Sequence, residues 1–301
     1  MHRLVLIGCG RWGRHILRDL LSLGAETAVV DPDPAARAHA DARGARTFAR
    51  LEDAPADVEG YVVATPTARH ADVVERLLER GLPIFCEKPL CDAPERAREI
   101  AKHCPQGNLF VMEKWRHHPG VLALRALAVS GELGAVRGLR TTRVQWGHAH
   151  RDVDAIWTLA PHDLSIADTI LGHVPAPRVA VAEGDAGEGL LALCGDDPWF
   201  AMEISSLRAV TRREIRLVCE AGHAVLEDPL ADHVVVARAG EPGVERAIER
   251  RPISVEMPLL RELRAFLAYL EGGPEPPCGL EAAVASVQQV ATLRRLAGLP
   301  A

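Results

Sequence analysis

Three glycines near the N-terminus, spaced as GxGxxG at Gly8, Gly10 and Gly13, constrain the fold of this chain more than any other feature. An apolar stretch over residues 4–7 enters the run, and apolar residues at helical spacing over residues 16–21 follow it. This pattern predicts a strand, a tight turn and a helix. Gly8 permits the turn, Gly10 lets the backbone approach a pyrophosphate, and Gly13 lets the helix pack closely on the sheet. The run therefore predicts a dinucleotide-binding loop.

An acidic residue follows the next predicted strand, where such folds bind a ribose. Residues 28–30 form that short apolar strand, which ends at Asp31. Asp31 is either a solvated strand-end residue or an acceptor for the adenosine ribose hydroxyls. In the second case its charge repels a 2′-phosphate, so NAD(H) is favoured over NADP(H), although Arg11 and Arg14 weaken that preference. We expect Arg11 and Trp12 to join the glycines in contacting the cofactor, because N–H groups at a helix start favour phosphate.

Composition and charge exclude several classes of protein. The net charge is -6 and no basic stripe with interleaved aromatic residues occurs, which argues against nucleic-acid binding. No apolar run approaches the length of a membrane span, and the N-terminus enters a strand directly, so neither a span nor a signal peptide is expected. The chain has 7 cysteines without a CxxC pair, which fits reduced thiols in a cytoplasmic protein.

The histidines raise the question of a metal site. The chain has 13 of them, among them His148 and His150. No HxxxH or HExxH pattern lies on a predicted helix, and structural or surface roles explain these residues better. We therefore predict no metal.

The order of predicted elements indicates two domains. Strands alternate with helices through about residue 114, as a doubly wound parallel sheet requires. Residues 135–253 are then mainly strand-like, with turns at hairpin distances and one predicted helix from about Pro161 to Leu171. Two further helices close the chain. The predicted fold is a Rossmann domain over residues 1–117 and, over residues 118–301, an α+β domain with a mostly antiparallel open sheet and helices on one face.

Several residue groups recur in the order and spacing of one family. The glycine run is followed by Thr65-Pro66, by Glu87-Lys88-Pro89, by Arg116 with Pro119, and by Pro161-His162-Asp163. The sequence resembles the glucose–fructose oxidoreductase / inositol dehydrogenase (Gfo/Idh/MocA) family of NAD(P)-dependent oxidoreductases over essentially the whole chain. The glycines alone would not be specific, but a Glu-Lys-Pro motif after them is.

The resemblance implies hydride transfer between a nicotinamide and a carbon that bears a hydroxyl or carbonyl group. It implies that Thr65 and Pro66 line the cofactor crevice and that Glu87 positions either Lys88 or the nicotinamide ribose. Lys88 would contact cofactor and substrate, and its ammonium would stabilise developing alkoxide charge or share the proton transfer. From its residue type alone, Lys88 would be a surface lysine.

His162 corresponds to the catalytic histidine of the family, which carries the substrate proton. We expect it near the start of the predicted helix, with Pro161 in the first turn and Asp163 at the positive end of the helix dipole. Members of the family commonly have an aspartate four residues before this histidine, where this chain has Thr158. Threonine cannot hold a negative charge. Asp152 or Asp154 is a possible substitute.

Thr158 and two further residues, Trp157 and Arg116, are predicted to contact substrate. Trp157 suits an apolar wall for a sugar ring, although core packing or a domain interface explains it equally well. Arg116 either binds a substrate carboxylate or phosphate, or forms a salt bridge.

The resemblance implies an NAD(H)-dependent oxidoreductase that acts on a secondary alcohol or ketone of a sugar, cyclitol or sugar nucleotide. Alternatives are a ligand-sensing relative without turnover, which Thr158 favours, and a reductase of a non-sugar carbonyl or imine. The resemblance also implies a homodimer or homotetramer. Met202 and Ile204 alternate with polar residues, so their strand has one apolar face, which meets either the helices or a partner.

Overall fold

The computed structural model describes residues 2–147, 152–240 and 248–300. The chain divides into two compact units. The first comprises Met1–Lys114 and Leu259–Val287, and the second comprises Trp115–Pro258 and Gln288–Ala301. The predicted boundary at residue 117 lies close to the first division, but residues 259–287 rejoin the N-terminal unit.

The secondary structure is numbered in chain order. The helices are α1 (Gly13–Ser22), α2 (Pro34–Asp41), α3 (Thr67–Leu78), α4 (Pro94–His103), α5 (Pro119–Ser130), α6 (Ala155–Leu171), α7 (Pro258–Leu270) and α8 (Leu280–Leu296). The strands are β1 (Arg3–Ile7), β2 (Glu26–Val30), β3 (Thr47–Phe48), β4 (Gly60–Val63), β5 (Ile84–Glu87), β6 (Leu109–Met112), β7 (Val136–Trp146), β8 (Pro177–Glu183), β9 (Gly189–Cys194), β10 (Trp199–Ser205), β11 (Leu207–Cys219), β12 (Gly222–Leu226), β13 (His233–Arg238) and β14 (Ile248–Pro252). Short 3-10 helices cover Leu51–Asp53 and Lys114–His117.

A parallel sheet organises the first unit. Its order is β3-β2-β1-β4-β5-β6, and the chain adds strands in opposite directions on either side of the parallel β1–β4 pair. Such an order places the ligand crevice at the carboxyl ends of the strands, near the switch point. The strands are buried along most of their length, as expected of a sheet covered on both faces. The predicted Rossmann architecture is confirmed.

Helix α7 packs on this sheet through aromatic residues. The ring of Phe266 stacks on that of Phe85 in β5, with centroids 4.8 Å apart. Tyr269 meets Phe110 in β6 edge-on at 4.9 Å, and its hydroxyl donates to the carbonyl of Gly107 at 2.8 Å. These contacts explain why a late segment of the chain belongs to the first unit.

A mostly antiparallel sheet organises the second unit. Its order is β14-β13-β12-β11-β7-β10-β9-β8, and β7 and β10 pair in parallel. Helices α5 and α6 pack against it. Met202 and Ile204 in β10 are buried, and α6 packs against their strand, so the apolar face predicted there meets a helix. The predicted α+β architecture is confirmed.

Two predicted details of the second unit are corrected. Helix α6 begins at Ala155 and not near Pro161, because the side chain of Asp154 caps it by accepting a hydrogen bond from the backbone of Trp157 at 3.1 Å. Helix α5 was not predicted, because its apolar residues spread around the helix and leave no clear stripe.

Candidate active site

The glycine loop in the first unit has the sterics of a dinucleotide cradle. Gly8 has a φ of 92°, and a Cβ there would lie 2.6 Å from the carbonyl oxygen of Ala64. A Cβ on Gly13 would lie 2.3 Å from the carbonyl oxygen of Gly8. Around Gly10, by contrast, no atom of the described residues lies within 4 Å of a Cβ position. Gly8 and Gly13 are therefore needed for close packing of the backbone, and Gly10 leaves space above the backbone for a ligand.

The side chain of Asp31 is hydrogen-bonded to the backbone of the glycine loop. One carboxylate oxygen accepts a hydrogen bond from the backbone N–H of Cys9 at 2.7 Å, and the other accepts from that of Asp33 at 2.8 Å. The side chain is buried, and is not the solvated strand-end residue that was one of the two alternatives. Each oxygen keeps a second lone pair with which a ribose hydroxyl can bond.

Thr65 and Pro66 lie where β4 ends. Thr65 adjoins the glycine loop, since a Cβ on Gly8 would lie 2.9 Å from its backbone nitrogen. Among the described residues, its hydroxyl oxygen is buried without a hydrogen-bond partner. A buried hydroxyl costs free energy unless it is hydrogen-bonded, so this oxygen suits a bound polar ligand. Pro66 is exposed and immediately precedes α3.

Trp12 connects the glycine loop to Glu87. Its indole N–H donates to one carboxylate oxygen of Glu87, and the other oxygen accepts from the backbone N–H of Lys88 at 3.2 Å. The ammonium of Lys114 lies over the Trp12 ring, 4.5 Å from its centroid. Burial raises the pKa of Glu87, and Lys88, the indole N–H and Lys114 oppose that rise. Arg11 is exposed beside this arrangement in the sequence.

Lys88 is the predicted catalytic residue of the first unit. It follows the last residue of β5, at the carboxyl end of the parallel sheet, and its exposure is only 9%. Lysine is rarely so buried unless it is paired, and Glu87 is its charged neighbour. The surface-lysine alternative is therefore wrong for this chain.

Sequence reasoning missed another buried acid of the first unit, Glu262 in α7. It is 1% exposed, and both of its carboxyl oxygens are buried. Burial raises its pKa well above the usual value; the charges of Glu87 and Glu113 add to the effect, and Lys114 opposes it. A signal was present, because Leu259, Glu262 and Phe266 share one helical stripe.

In the second unit, His162 lies inside α6 and not near its start. Pro161 is likewise inside the helix, and Asp163 is far from the positive end of the dipole. Both earlier expectations fail because the Asp154 cap starts the helix almost two turns earlier. The half-buried His162 ring meets Trp115 edge-on, with centroids 6.5 Å apart.

A buried ion pair lies directly behind His162. The guanidinium of Arg143 in β7 donates to the carboxylate of Asp163 at 2.6 Å, and both side chains are almost fully buried. Arg143 also lies over the ring of Trp115, 4.6 Å from its centroid, and Trp115 stacks on His118. Arginine, carboxylate and indole thus hold the helix segment that carries His162 against the sheet.

Neither Thr158 nor Asp154 is arranged as the missing carboxylate. The hydroxyl of Thr158 donates to the backbone carbonyl of Asp154 at 2.9 Å. The carboxylate of Asp154 caps α6 and pairs with Arg294. Asp152, the other proposed substitute, is exposed.

Two of the predicted substrate residues are occupied by internal contacts. Arg116 donates to Asp168 in α6 at 2.6 Å, which is the salt-bridge alternative. Trp157 is 5% exposed and lies under the guanidinium of Arg294, 5.8 Å from the ring centroid. Packing therefore accounts for Trp157 in the second unit.

No group of three histidine, cysteine, aspartate or glutamate side chains able to hold a metal occurs among residues 2–147, 152–240 and 248–300. His148 and His150 lie outside the described residues. Within the same ranges, no helix is long and apolar enough to cross a membrane.

Comparison with known proteins gives a family match for the N-terminal part of the chain. Residues 2–114 match the model of the Gfo/Idh/MocA oxidoreductase family with an NAD-binding Rossmann fold. An inositol 2-dehydrogenase of Rhizobium meliloti is 32% identical over 206 residues, which are 62% of each chain. This chain matches the Gfo/Idh/MocA family over residues 2–114, which are less than half of its length. It matches the curated relatives over less than two thirds of their length.

Solved structures extend the likeness of fold to nearly the whole chain. The UDP-N-acetylglucosamine 3-dehydrogenase of Acidithiobacillus ferrooxidans has a TM-score of 0.85 at 22% identity, covering 98% of this chain and 97% of that one. A levoglucosan dehydrogenase in complex with NADH has a TM-score of 0.86 at 16% identity, covering 99% and 97%. At these identities the likeness establishes the fold alone.

Proposed function

We propose that this protein is an NAD(H)-dependent dehydrogenase for a secondary alcohol or ketone of a sugar, cyclitol or sugar nucleotide. The observation that carries the proposal is the arrangement in the first unit. The buried Lys88 follows Glu87, and Glu87 accepts a hydrogen bond from Trp12 in the glycine loop. The inositol 2-dehydrogenase relative and the two dehydrogenases of like fold support this class of substrate.

The residues of the first unit fit the cofactor and the developing charge. The space over Gly10 and the unpartnered hydroxyl of Thr65 suit a bound dinucleotide, and Asp31 suits its adenosine ribose. Bound there, the nicotinamide would accept or donate the hydride. The ammonium of Lys88 would stabilise alkoxide charge on the substrate oxygen, in a place where burial strengthens electrostatic interactions.

His162 is the proposed proton carrier. During oxidation a neutral imidazole takes the proton of the substrate hydroxyl, and during reduction an imidazolium supplies it. The pair of Arg143 with Asp163, together with Trp115, supports this role because a fixed ring can transfer a proton in a fixed direction. Arg116, through Asp168, and Trp157, as part of α6, would hold the helix that carries His162.

A screen for turnover tests the proposal. Absorbance of the reduced nicotinamide is followed with NAD⁺ and a panel of cyclitols, sugars and UDP-sugars, and with NADH and the matching ketones. We expect turnover on at least one polyol or sugar. Turnover confined to non-sugar carbonyls or imines would contradict the substrate class.

A ligand-sensing protein is the second candidate function. Thr158 favours it, because its hydroxyl is bonded to the backbone carbonyl of Asp154 and provides no carboxylate near His162. Calorimetry on the same panel separates the two functions. Binding of cofactor and sugar without turnover would establish the sensor and refute the dehydrogenase.

Lys88 and His162 are tested by substitution. We expect Lys88→Met to slow turnover by about 10²–10³-fold, because the cation that stabilises the alkoxide is lost. His162→Ala should cost about 10²–10⁴-fold. Neither variant changes residues 8–13, so cofactor affinity should stay within several-fold. Lys102→Met, which replaces an exposed lysine of α4, is the control. If the double variant Lys88→Met, His162→Ala were as active as the parent, neither residue would take part in the reaction.

We further propose that the protein self-associates through one sheet face of the second unit. Val179 is paired with Leu193, and Val181 with Leu191, between β8 and β9, and all four side chains are exposed. Directly paired residues share a face, so these four form an apolar patch that a second copy would cover.

We also propose a cytoplasmic location and a preference for NAD(H) over NADP(H). All seven cysteines are unpaired thiols, which supports a reducing compartment. The buried carboxylate of Asp31 supports the cofactor preference. Fractionation of cells that express the tagged protein tests the location, and recovery outside the cytoplasm would refute it.

A further inference from the structure

A buried histidine in the first turns of α3 has no role in the chemistry proposed above. His70 is 1% exposed and shares its helical stripe with the buried Val74 and Leu77. A histidine on such a stripe faces the protein interior and has little contact with solvent. Its ring nitrogens therefore need partners inside the protein.

Both ring nitrogens of His70 face backbone carbonyls. Nδ1 lies 2.7 Å from the carbonyl oxygen of Pro89, and Nε2 lies 2.9 Å from that of Thr65. A carbonyl oxygen only accepts hydrogen bonds, so both nitrogens must donate. A neutral imidazole has one N–H, whereas an imidazolium has two. Two acceptors facing the two ring nitrogens favour the imidazolium form, whose hydrogen bonds are charge-assisted.

The two carbonyls belong to the two segments on which the proposed site depends. Thr65 lies just after β4 and beside the glycine loop, and Pro89 directly follows Lys88. These segments are separated by the whole of α3 and by β5 in the sequence. Through one side chain, His70 fixes the backbone beside Lys88 relative to the backbone beside Gly8.

We propose that His70 is a positioning residue that, as an imidazolium, clamps the Thr65 and Lys88–Pro89 segments together in the first unit. The proposal rests on the proposed dehydrogenase function for its effect on turnover. Its structural part is independent of that function. His70 does not touch the reacting atoms in this assignment; it acts through the placement of Lys88.

The protonation state is tested without turnover. Nitrogen-15 NMR of the histidine rings at neutral pH, with His70→Gln to assign the signals, should show both His70 nitrogens protonated. A neutral ring with one protonated nitrogen would overturn the imidazolium assignment.

The clamp is tested by hydrogen exchange and kinetics on the full chain. His70→Phe keeps a ring without donors, and His70→Gln restores a donor for one carbonyl. His103→Phe, which replaces an exposed histidine of α4, is the matched control. In His70→Phe, exchange should accelerate about tenfold or more at residues 65–70 and 88–91. His70→Gln should show a smaller effect, and His103→Phe none.

Turnover then separates positioning from simple packing. A displacement of about 1 Å can slow an enzyme by about 100-fold, so kcat of His70→Phe should fall about 10- to 100-fold while the KM for NAD(H) stays within about threefold. His70→Gln should recover part of kcat. Unchanged exchange would overturn the clamp, and faster exchange with an unchanged kcat per folded molecule would overturn the positioning role. If the parent has no turnover, the proposed function fails, and NMR and exchange still decide the clamp.

Discussion

At the scale of single residues, several side chains have more than one task. Asp31 bonds the backbone of Cys9 and of Asp33 and still has lone pairs for a ribose. Glu87 accepts hydrogen bonds from Trp12 and from the backbone of Lys88. A residue that shapes a loop and also binds a ligand cannot be tested by deletion alone. Conservative substitutions are needed.

Asp31→Asn tests the cofactor preference and removes one of the two backbone hydrogen bonds that Asp31 accepts, because the amide nitrogen cannot accept from Cys9 or Asp33. The parent should bind NAD(H) at least about tenfold tighter than NADP(H), which corresponds to about 1.4 kcal/mol. The amide keeps one acceptor oxygen but lacks the charge that repels a 2′-phosphate. The difference between the affinities for NAD(H) and NADP(H) should therefore become smaller. Titration calorimetry measures both affinities, with Asp53→Asn as a control at an exposed position. Equal affinities in the parent would refute the role of Asp31.

Thr158→Asp tests whether this chain lacks a carboxylate that its chemistry could use. A negative charge one helical turn before His162 would favour the protonated ring. The pH midpoint of turnover should therefore move to higher pH by about half a unit or more. Thr158→Asn, which has nearly the same shape without the charge, should leave the midpoint in place. Weaker substrate binding with no change in the pH profile would instead assign Thr158 to the substrate pocket.

At the scale of elements, helix α7 brings an acid into the core of the first unit. Leu259, Leu263 and Phe266 of α7 belong to the same buried cluster as Phe85 and Phe110 of the sheet. Glu262 lies on that apolar stripe, and the charges of Glu87 and Glu113 act on it. Burial makes a carboxyl in such a place more stable with its proton.

Glu262→Gln tests this protonation through the pH dependence of stability. The folded-state pKa is raised, so the folded protein retains a proton that the unfolded chain loses above about pH 4.3. Stability from this group is full below that pH and falls as the pH rises towards the folded-state pKa. The free energy of unfolding of the parent should therefore fall relative to the variant by up to about 1.4 kcal/mol per pH unit.

Denaturant titrations between pH 5 and pH 8 measure that difference. Glu281→Gln changes an exposed glutamate at the start of α8 and should show no such trend. A difference between parent and Glu262→Gln that does not vary with pH would mean that Glu262 is ionised in the folded state.

At the scale of the whole molecule, the second unit carries both a helix-covered face and an exposed apolar one. The buried Leu190, Ala192 and Cys194 alternate in β9 with the exposed Leu191 and Leu193. When helices cover one face of an antiparallel sheet, the other face is normally polar. Here both faces of β9 carry apolar side chains, which is unusual for a face exposed to solvent.

The double variant Val181→Glu, Leu191→Glu tests self-association. Opposed carboxylates would repel across an interface made by two copies of this face, so light scattering at micromolar concentration should show a dimer or tetramer for the parent and a monomer for the variant. Val129→Glu, at an exposed apolar position of α5, is the matched control and should not change the mass. A monomeric parent would contradict the proposal.

The sequence alone determined the architecture of the first unit and the place of its cofactor loop. Strand and helix periodicity, together with glycines that need positive φ or close backbone contact, report local conformation, and these signals act over a few residues. Gly8 and Gly13 serve the steric roles predicted for them. The Glu-Lys-Pro motif likewise indicated Lys88, which residue type alone would have assigned to the surface.

Tertiary structure decided which distant residues meet. Periodicity cannot show that α7 returns to the first sheet, that Arg143 pairs with Asp163, or that His70 bridges the carbonyls of Thr65 and Pro89. It also misplaced the start of α6, because the cap at Asp154 prevailed over the proline at position 161 as a start signal. Local pattern reports whether a side chain is buried, whereas its partner depends on strand order and register, which only the folded chain defines.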